Sequence, residues 1–324
     1  MRVALIGCGR IAYELERDAL RYKPCTHLGA LRHFQKRDAA LNLTGFCDID
    51  PERAIAAATF MRADGAMITT DYREIIAQQP DLLVIASSTA AHHKVLATAI
   101  KAGVKRIVAE KPLVFSAAEA RNLQQVAESG NSIVLPNYER RYHEKYIAFR
   151  REQQNAKKGS QYRAFFAAGG ASLYADKNTG DEGVLLHDTT HLVDLVQFIF
   201  GRITGHRIIA AKRRHVIYLS HESGAEGVIE TSLGVGAFHL ELQVMTQNER
   251  KTVGNGFTLR EKIVASPHYR KLRGYAPAIR AIDKPMTTAK NPFLRLYDQA
   301  LYGNPDNTHF FEALENVLLL SKQR

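Results

Sequence analysis

Through residue 136 the chain alternates short runs that are apolar at every position with longer stretches whose apolar residues recur at helical spacing. RVALIG reads as a strand followed by a helix from Ile11, LNLTGFCD as a second strand, and PERAIAAATFM as a helix with proline at its start. DLLVIAS, VKRIVAEK and NSIVLP are further strands, separated by the helices AHHKVLATAIKAG and SAAEARNLQQVAESG. Strands that are apolar throughout and separated by helices predict a parallel sheet covered on both faces. The fold class expected for this part is α/β, a doubly wound sheet.

From Asn137 the period changes to two. QYRAFFAAGG, HRIIAAK, RRHVIYLSHE, AEGVIETSL and AFHLELQVMTQ read as strands. In the last of these Phe238, Leu240, Leu242 and Val244 share one face, and His239, Glu241 and Gln243 the other. One polar face predicts an open, mostly antiparallel sheet in an α+β unit. TVGNGFTLRE adds a hairpin around Asn255 and Gly256, and HFFEALENVLLLSK a closing helix capped by Asn307 or Thr308. Two domains are expected, 1–136 and 137–324.

Composition narrows the function classes. The 324 residues are 45% hydrophobic and 24% charged, ordinary for a soluble globular chain. Three cysteines with no CxxC or Cys/His ligand spacing predict reduced thiols in a cytoplasm and no metal site. Neither a signal peptide nor a membrane span is expected. The net charge of +11 is concentrated after residue 136, where 27 Lys+Arg face 19 Asp+Glu, against 17 and 14 before it. That excess serves as a solvated face or attracts an anionic small substrate; no nucleic-acid motif accompanies it.

The first chemical signal is GCGRIA, in which Gly7, Gly9 and Ala12 form GxGxxA between a strand and an expected helix. Gly7 tightens the turn, Gly9 lets backbone approach a pyrophosphate, and the helix N-terminus offers its amides. Arg10, Ile11 and Ala12 are expected to complete that contact. Asp48, at the end of the second strand, suits the adenosine ribose and disfavours a 2′-phosphate, so NAD is expected ahead of NADP. It lies 39 residues after Gly9, nearly twice the usual interval of about 20, which requires an insertion in between. Arg53 is placed to reach a phosphate, and Asp48 or Asp50 can instead cap the following helix.

RIVAEKPLVF ends an apolar strand in Glu110, Lys111 and Pro112. Ligands bind beyond the carboxyl ends of such strands, so Lys111 is expected at the nicotinamide end, its pKa lowered toward the range useful for acid/base work. Its plain alternative is a lysine reaching from a strand end to solvent.

GCGRIA, EKP at 110–112, NYERRY from Asn137 and GVLLHDTTHLVDLVQFIFG from Gly183 together resemble the Gfo/Idh/MocA oxidoreductases, named for glucose-fructose oxidoreductase and inositol dehydrogenase. The resemblance implies an NAD(P)-dependent dehydrogenase or reductase acting on a sugar, inositol or nucleotide-sugar derivative, with Lys111 as catalytic acid/base and His191 as a second catalytic or orienting group. Members commonly carry Asp-x-x-x-His here, whereas this chain has His187 four before His191 and Asp188 one place later, on another face of the helix. His187 is therefore a catalytic candidate, and Asp188 a substrate contact beside Asn137, Arg140 and Arg141. Arg140, Arg141 and Lys145 would hold an anionic part of the substrate. Members often have prolines where Ser88 and Thr89 stand; Ser87, Ser88 and His92 remain expected cofactor neighbours, with helix capping as the alternative for Ser88 or Thr89. The i, i+4 pair His187 and His191 also has metal-site spacing, but no third ligand follows it. A homodimer or homotetramer is expected, covering the open sheet. The alternative function is a catalytically silent NAD(P)-binding regulator of the same fold.

Overall fold

A computed structural model describes residues 1–154, 160–168, 188–211, 214–233, 239–245, 249–254, 257–265, 273–275, 279–282 and 291–321. The chain divides into two compact units, one holding Met1–Glu144 with the described residues between 286 and 322, the other the described residues between 145 and 285. The first unit is thus larger than the expected 1–136, because the last two helices pack on it.

Its sheet has six strands: β1 Arg2–Ile6, β2 Asn42–Cys47, β3 Met67–Thr69, β4 Leu82–Ile85, β5 Arg106–Ala109 and β6 Ile133–Pro136. Their order is β3-β2-β1-β4-β5-β6 and all neighbours run parallel. The order reverses between β1 and β4, the point where a doubly wound sheet opens a crevice beyond its carboxyl ends. Val3, Ala4, Leu5 and Ile6 are 0–4% exposed, as expected of a strand covered on both faces; burial contributes roughly 1.5–3 kcal/mol for each large side chain. The helices of this sheet are α1 His27–Gln35, α2 Pro51–Met61, α3 Tyr72–Ala77, α4 Thr89–Lys101 and α5 Ala117–Glu128. The hydrophobic periodicity located α2, α4 and α5 but overlooked β3 and α3, three and six residues long. Segments that short carry barely one period of either pattern.

The helix expected from Ile11 is absent. A turn and a short 3-10 helix, Glu14–Arg17, follow the glycines, and α1 starts only at His27. The first turn of α1 is closed from outside: His27 N–H donates to the Ile11 carbonyl at 3.2 Å and Leu28 N–H to that of Ala12 at 2.9 Å. Thr26 caps Gly29 N–H at 3.1 Å, and the Glu16 carboxylate takes the Thr26 hydroxyl at 2.8 Å and Cys25 N–H at 3.0 Å. The insertion implied by the long interval to Asp48 therefore sits between glycine loop and helix, and its own groups occupy that helix end.

Two helices return to this unit, α8 Pro292–Tyr302 and α9 Thr308–Ser321, numbered after α6 Glu144–Gln154 and α7 Thr190–Phe200 of the chain between. Asn291 caps α8, accepting from Phe293 N–H at 2.9 Å, while its amide donates to the Pro24 carbonyl at 2.9 Å. At the other end the Arg106 guanidinium donates to the carbonyls of Ala300, Leu301 and Gly303 at 2.8–3.1 Å. Asn307, expected to cap α9, takes β6 instead: its amide oxygen accepts from Val134 N–H and its nitrogen donates to the Ser132 carbonyl, both at 2.8 Å. The groups of an edge strand are covered in this way. Asp306, not Asn307 or Thr308, receives the Thr308 N–H at 2.9 Å.

The second unit is a nine-stranded sheet: β7 Gln161–Ala168, β8 Ile203–Ala211, β9 Arg214–His221, β10 Glu226–Leu233, β11 His239–Met245, β12 Glu249–Gly254, β13 Phe257–Ala265, β14 Arg273–Tyr275 and β15 Ile279–Ile282. Only β7 and β10 pair in parallel; the other pairs are antiparallel. Alternation in β11 holds, with Leu240, Leu242 and Val244 buried and His239, Glu241 and Gln243 half-buried. β12 and β13 pair as the expected hairpin, whose turn residues Asn255 and Gly256 lie outside the described residues.

Candidate functional site

The glycine loop leaves β1 at the switch point. Gly7 has φ +92°, and a Cβ there would lie 2.2 Å from Ser87 N and 2.4 Å from the Ala86 carbonyl carbon, so only glycine fits where the chains after β1 and β4 cross. Gly9 is different. A Cβ there would meet nothing closer than Arg53 Nη1 at 3.9 Å, so no packing demands a glycine, and the bare backbone faces open space. Arg10 is exposed, Ile11 half-buried and Ala12 fully buried in the core.

Asp48 follows β2 and braces this loop. Its Oδ2 accepts from Cys8 N–H at 2.7 Å and its Oδ1 from Asp50 N–H at 3.0 Å. The capping alternative falls to Asp50, which accepts from Glu52 N–H at 3.1 Å at the start of α2. Asp48 is thus at the expected strand end, holding backbone on both sides. The thiols beneath it are inert: burial, with Asp48 adding its charge, pushes Cys47 up to about 11 and Cys8 higher still.

After β4, the Ser87 hydroxyl is buried with no hydrogen-bond partner. Ser88 occupies the N-cap position of α4 without a side-chain bond. His92, expected beside the cofactor, is fully buried behind it. Its ring nitrogens face the carbonyls of Ser87 and Pro112, each at 3.0 Å, tying the loop after β4 to the loop after β5. Burial draws its pKa down, against the opposing pull of those carbonyls.

After β5 the chain turns at Glu110, Lys111 and Pro112, with a cis bond between the last two. Glu110 is 8% exposed, and its carboxylate accepts from three sides. Its Oε1 accepts from His27 Nε2 at 2.9 Å and Asn137 Nδ2 at 2.6 Å, and its Oε2 from Lys111 N–H at 3.3 Å. His27 Nδ1 in turn meets the Tyr297 hydroxyl at 2.8 Å. Burial pushes the Glu110 carboxyl up, but the His27 and Asn137 hydrogen bonds and the nearby positive charge outweigh it, leaving it below the ordinary carboxylate value. Glu110, expected as a cofactor neighbour, is a buried anion that holds the Lys111 backbone N–H. The Asn137 amide oxygen is buried and has no partner.

Gly9, Ser87, Lys111 and Asn137 stand after β1, β4, β5 and β6, along one carboxyl edge. An open glycine backbone and two orphaned buried polar atoms on either side of Lys111 fit an elongated polar ligand such as a dinucleotide. Residues 1–138 match the oxidoreductase family with NAD-binding Rossmann fold, GFO_IDH_MocA. This first part of the chain, through residue 138, is similar to the Gfo/Idh/MocA oxidoreductases.

A D-apiose dehydrogenase from Paraburkholderia graminis is 27% identical over 250 residues, 71% of this chain and 60% of that protein. The match thus spans less than two thirds of that relative's length. An inositol 2-dehydrogenase from Acidothermus cellulolyticus is 23% identical over 261 residues, 76% of this chain and 71% of that protein. The WlbA dehydrogenase from Thermus thermophilus, solved with NAD and α-ketoglutarate, superposes with a TM-score of 0.70 at 17% identity, covering 100% of this chain and 96% of that one. At that identity the likeness shows a shared fold.

The remaining candidates are scattered. Arg141 is paired with Glu312 of α9, Nη1 to Oε2 at 2.6 Å with its side chain 9% exposed, which ties it to the C-terminal helix. Arg140 is half-buried in the same turn. Lys145 belongs to the second unit and donates to the Gly254 carbonyl at 3.1 Å. Also in that unit, Asp188 is buried and His191 half-buried near the start of α7, its ring 6.4 Å from that of Phe166. His187 lies outside the described residues. Among the described residues no cluster of three His, Cys, Asp or Glu could hold a metal, and no helix is long and apolar enough to cross a membrane. Sequence reasoning missed His27 and Tyr297: each looks like a core residue of an amphipathic helix, and nothing local marks it as a partner of Glu110.

Proposed function

We propose that the chain is an NAD(P)-dependent dehydrogenase acting on the CH–OH group of a sugar, inositol or related polyol, with Lys111 as its acid/base. The observation that carries this is the carboxylate of Glu110, which fixes the backbone of Lys111 at the carboxyl edge, flanked by the unpartnered Ser87 and Asn137 atoms. A bound nicotinamide would supply the hydride acceptor or donor. In the oxidising direction the Lys111 amine takes the hydroxyl proton as the carbon gives up hydride; in reduction its ammonium returns that proton. Ser87 and Asn137 orient polar groups of the ligands, and His191, with His187 and Asp188 beside it in sequence, is the second catalytic or substrate-orienting candidate. The names of the apiose and inositol relatives support a polyol-like substrate.

Asp48 favours NAD, because its carboxylate stands where a 2′-phosphate would add negative charge; lone pairs beyond its two backbone bonds accept ribose hydroxyls. On this reading Arg140 meets any anionic part of the substrate, and the outer face of the large sheet, with Ile209, Tyr218 and Met245 40–47% exposed, covers a second copy.

The test is NAD⁺ and NADP⁺ reduction over a panel of pentoses, inositols and nucleotide-linked sugars. A substrate should emerge, and Lys111→Ala should lower its turnover about 10²- to 10⁴-fold while keeping NADH affinity. Unchanged turnover in Lys111→Ala removes the assignment.

A further inference from the structure

Lys111 is the first residue beyond the β5 ladder, which closes with Glu110 N–H on the Ile85 carbonyl and Asn137 N–H on that of Ala109, at 2.9 and 2.8 Å. Its own N–H is held by Glu110 Oε2. That oxygen stays in place only while Oε1 is anchored, and the anchors come from far along the chain. His27 begins α1, Asn137 follows β6, and Tyr297 lies midway along α8. The ionised carboxylate accepts only, so His27 donates from Nε2, and its Nδ1 meets the Tyr297 hydroxyl. The result is a chain of hydrogen bonds linking Tyr297, His27 and Glu110 and ending at the Lys111 backbone. Every link is buried: His27 and Tyr297 are 0% exposed and Asn137 5%.

We propose that His27 and Tyr297 are positioning residues for the Lys111 amine, acting through the Glu110 carboxylate. This rests on Lys111 being the acid/base assigned above. The groups around that carboxylate are His27 from α1, Tyr297 from α8, Asn137 after β6, Lys111 on its own loop and, across Pro112, His92 from α4. Among the described residues His27 supplies a titratable donor directly to the carboxylate. Loss of that donor leaves a buried carboxylate short of hydrogen bonds, which raises its pKa and favours its neutral form. The lysine then loses the anion beneath it, and its ammonium form becomes less favoured.

The experiment uses the intact protein and needs no substrate. Acetic anhydride labelling of Lys111 is followed against pH by peptide mass spectrometry, with exposed Lys101 as internal reference, in the wild type and in His27→Leu, His27→Gln and Tyr297→Phe, each with and without NADH. His27→Leu should move the Lys111 midpoint down by about one pH unit. His27→Gln, which keeps a donor at the Nε2 position, should restore most of it, and Tyr297→Phe should give a smaller shift of the same sign. A midpoint unmoved in His27→Leu, one unmoved in Tyr297→Phe, or a shift in His27→Gln as large as in His27→Leu, overturns the proposal. If His27→Leu does not fold, the other two variants decide. Protection of wild-type Lys111 by NADH reads the parent assignment separately: its absence sinks the dehydrogenase reading and leaves the midpoint comparison intact.

Discussion

After β1 the chain turns almost without side chains, whereas after β5 it turns around a carboxylate held by His27, Asn137 and the Lys111 amide. Gly7 is required because an added Cβ would lie 2.2 Å from the crossing backbone at Ser87; at Gly9 an added Cβ would meet nothing among the described residues closer than 3.9 Å. The first loop gets its shape from what is missing and presents bare backbone. The second gets its shape from buried hydrogen bonds and presents one amine. A site that must cradle a phosphate chain and also aim a proton carrier benefits from both, since bare amides approach an anion closely and a braced backbone keeps a reactive group in register.

The largest way to break the comparison is Gly7→Ala. Its Cβ would collide with backbone at a left-handed φ, and a loss of roughly 2–4 kcal/mol is expected, read as a lower denaturation midpoint. Little change would mean that the crossing at Ser87 is loose. Arg106→Ala attacks the other loop from a distance. It frees three carbonyls at the end of α8, the helix that carries Tyr297, and should cost about 1–3 kcal/mol. Protease resistance of the C-terminal helices should fall with it; unchanged resistance would show that α8 is held by its apolar face alone.

Glu110→Gln is subtler. Because the folded carboxyl is held below its ordinary 4.5, its contribution to stability is complete above that value and disappears as pH falls through the folded value. Wild-type stability should therefore drop more steeply below about pH 4.5 than that of Glu110→Gln, with the variant about 1–3 kcal/mol weaker near neutrality. Parallel acid limbs in the two proteins would contradict the buried-anion assignment.

The difference between the loops also explains what was legible in the sequence. GCGRIA is local, so the turn at Gly7, the open backbone at Gly9 and the buried Ala12 follow from six residues. The helix after it was misplaced because the insertion puts α1 at His27, and periodicity alone gives no sign of where an interrupted helix resumes. The parallel sheet was readable because strands buried on both faces are apolar throughout. EKP marked Lys111, but its support was invisible: His27 is 83 residues from Glu110, and Tyr297 is 270 from His27. Hydrogen-bond partners so far apart leave no spacing to recognise. For the same reason the pairing of Arg141 with Glu312, 171 residues further on, left no mark in the sequence.

The central claim is that the bare backbone at Gly9 is kept open for a dinucleotide. Titration of NADH into wild type and Gly9→Ala, followed by nicotinamide fluorescence beside thermal denaturation of both, tests it most directly. The account predicts a stability change within about 0.5 kcal/mol together with affinity weakened about tenfold or more, as expected when a methyl group displaces a phosphate by even a few tenths of an ångström. Equal affinities for the two proteins would contradict it.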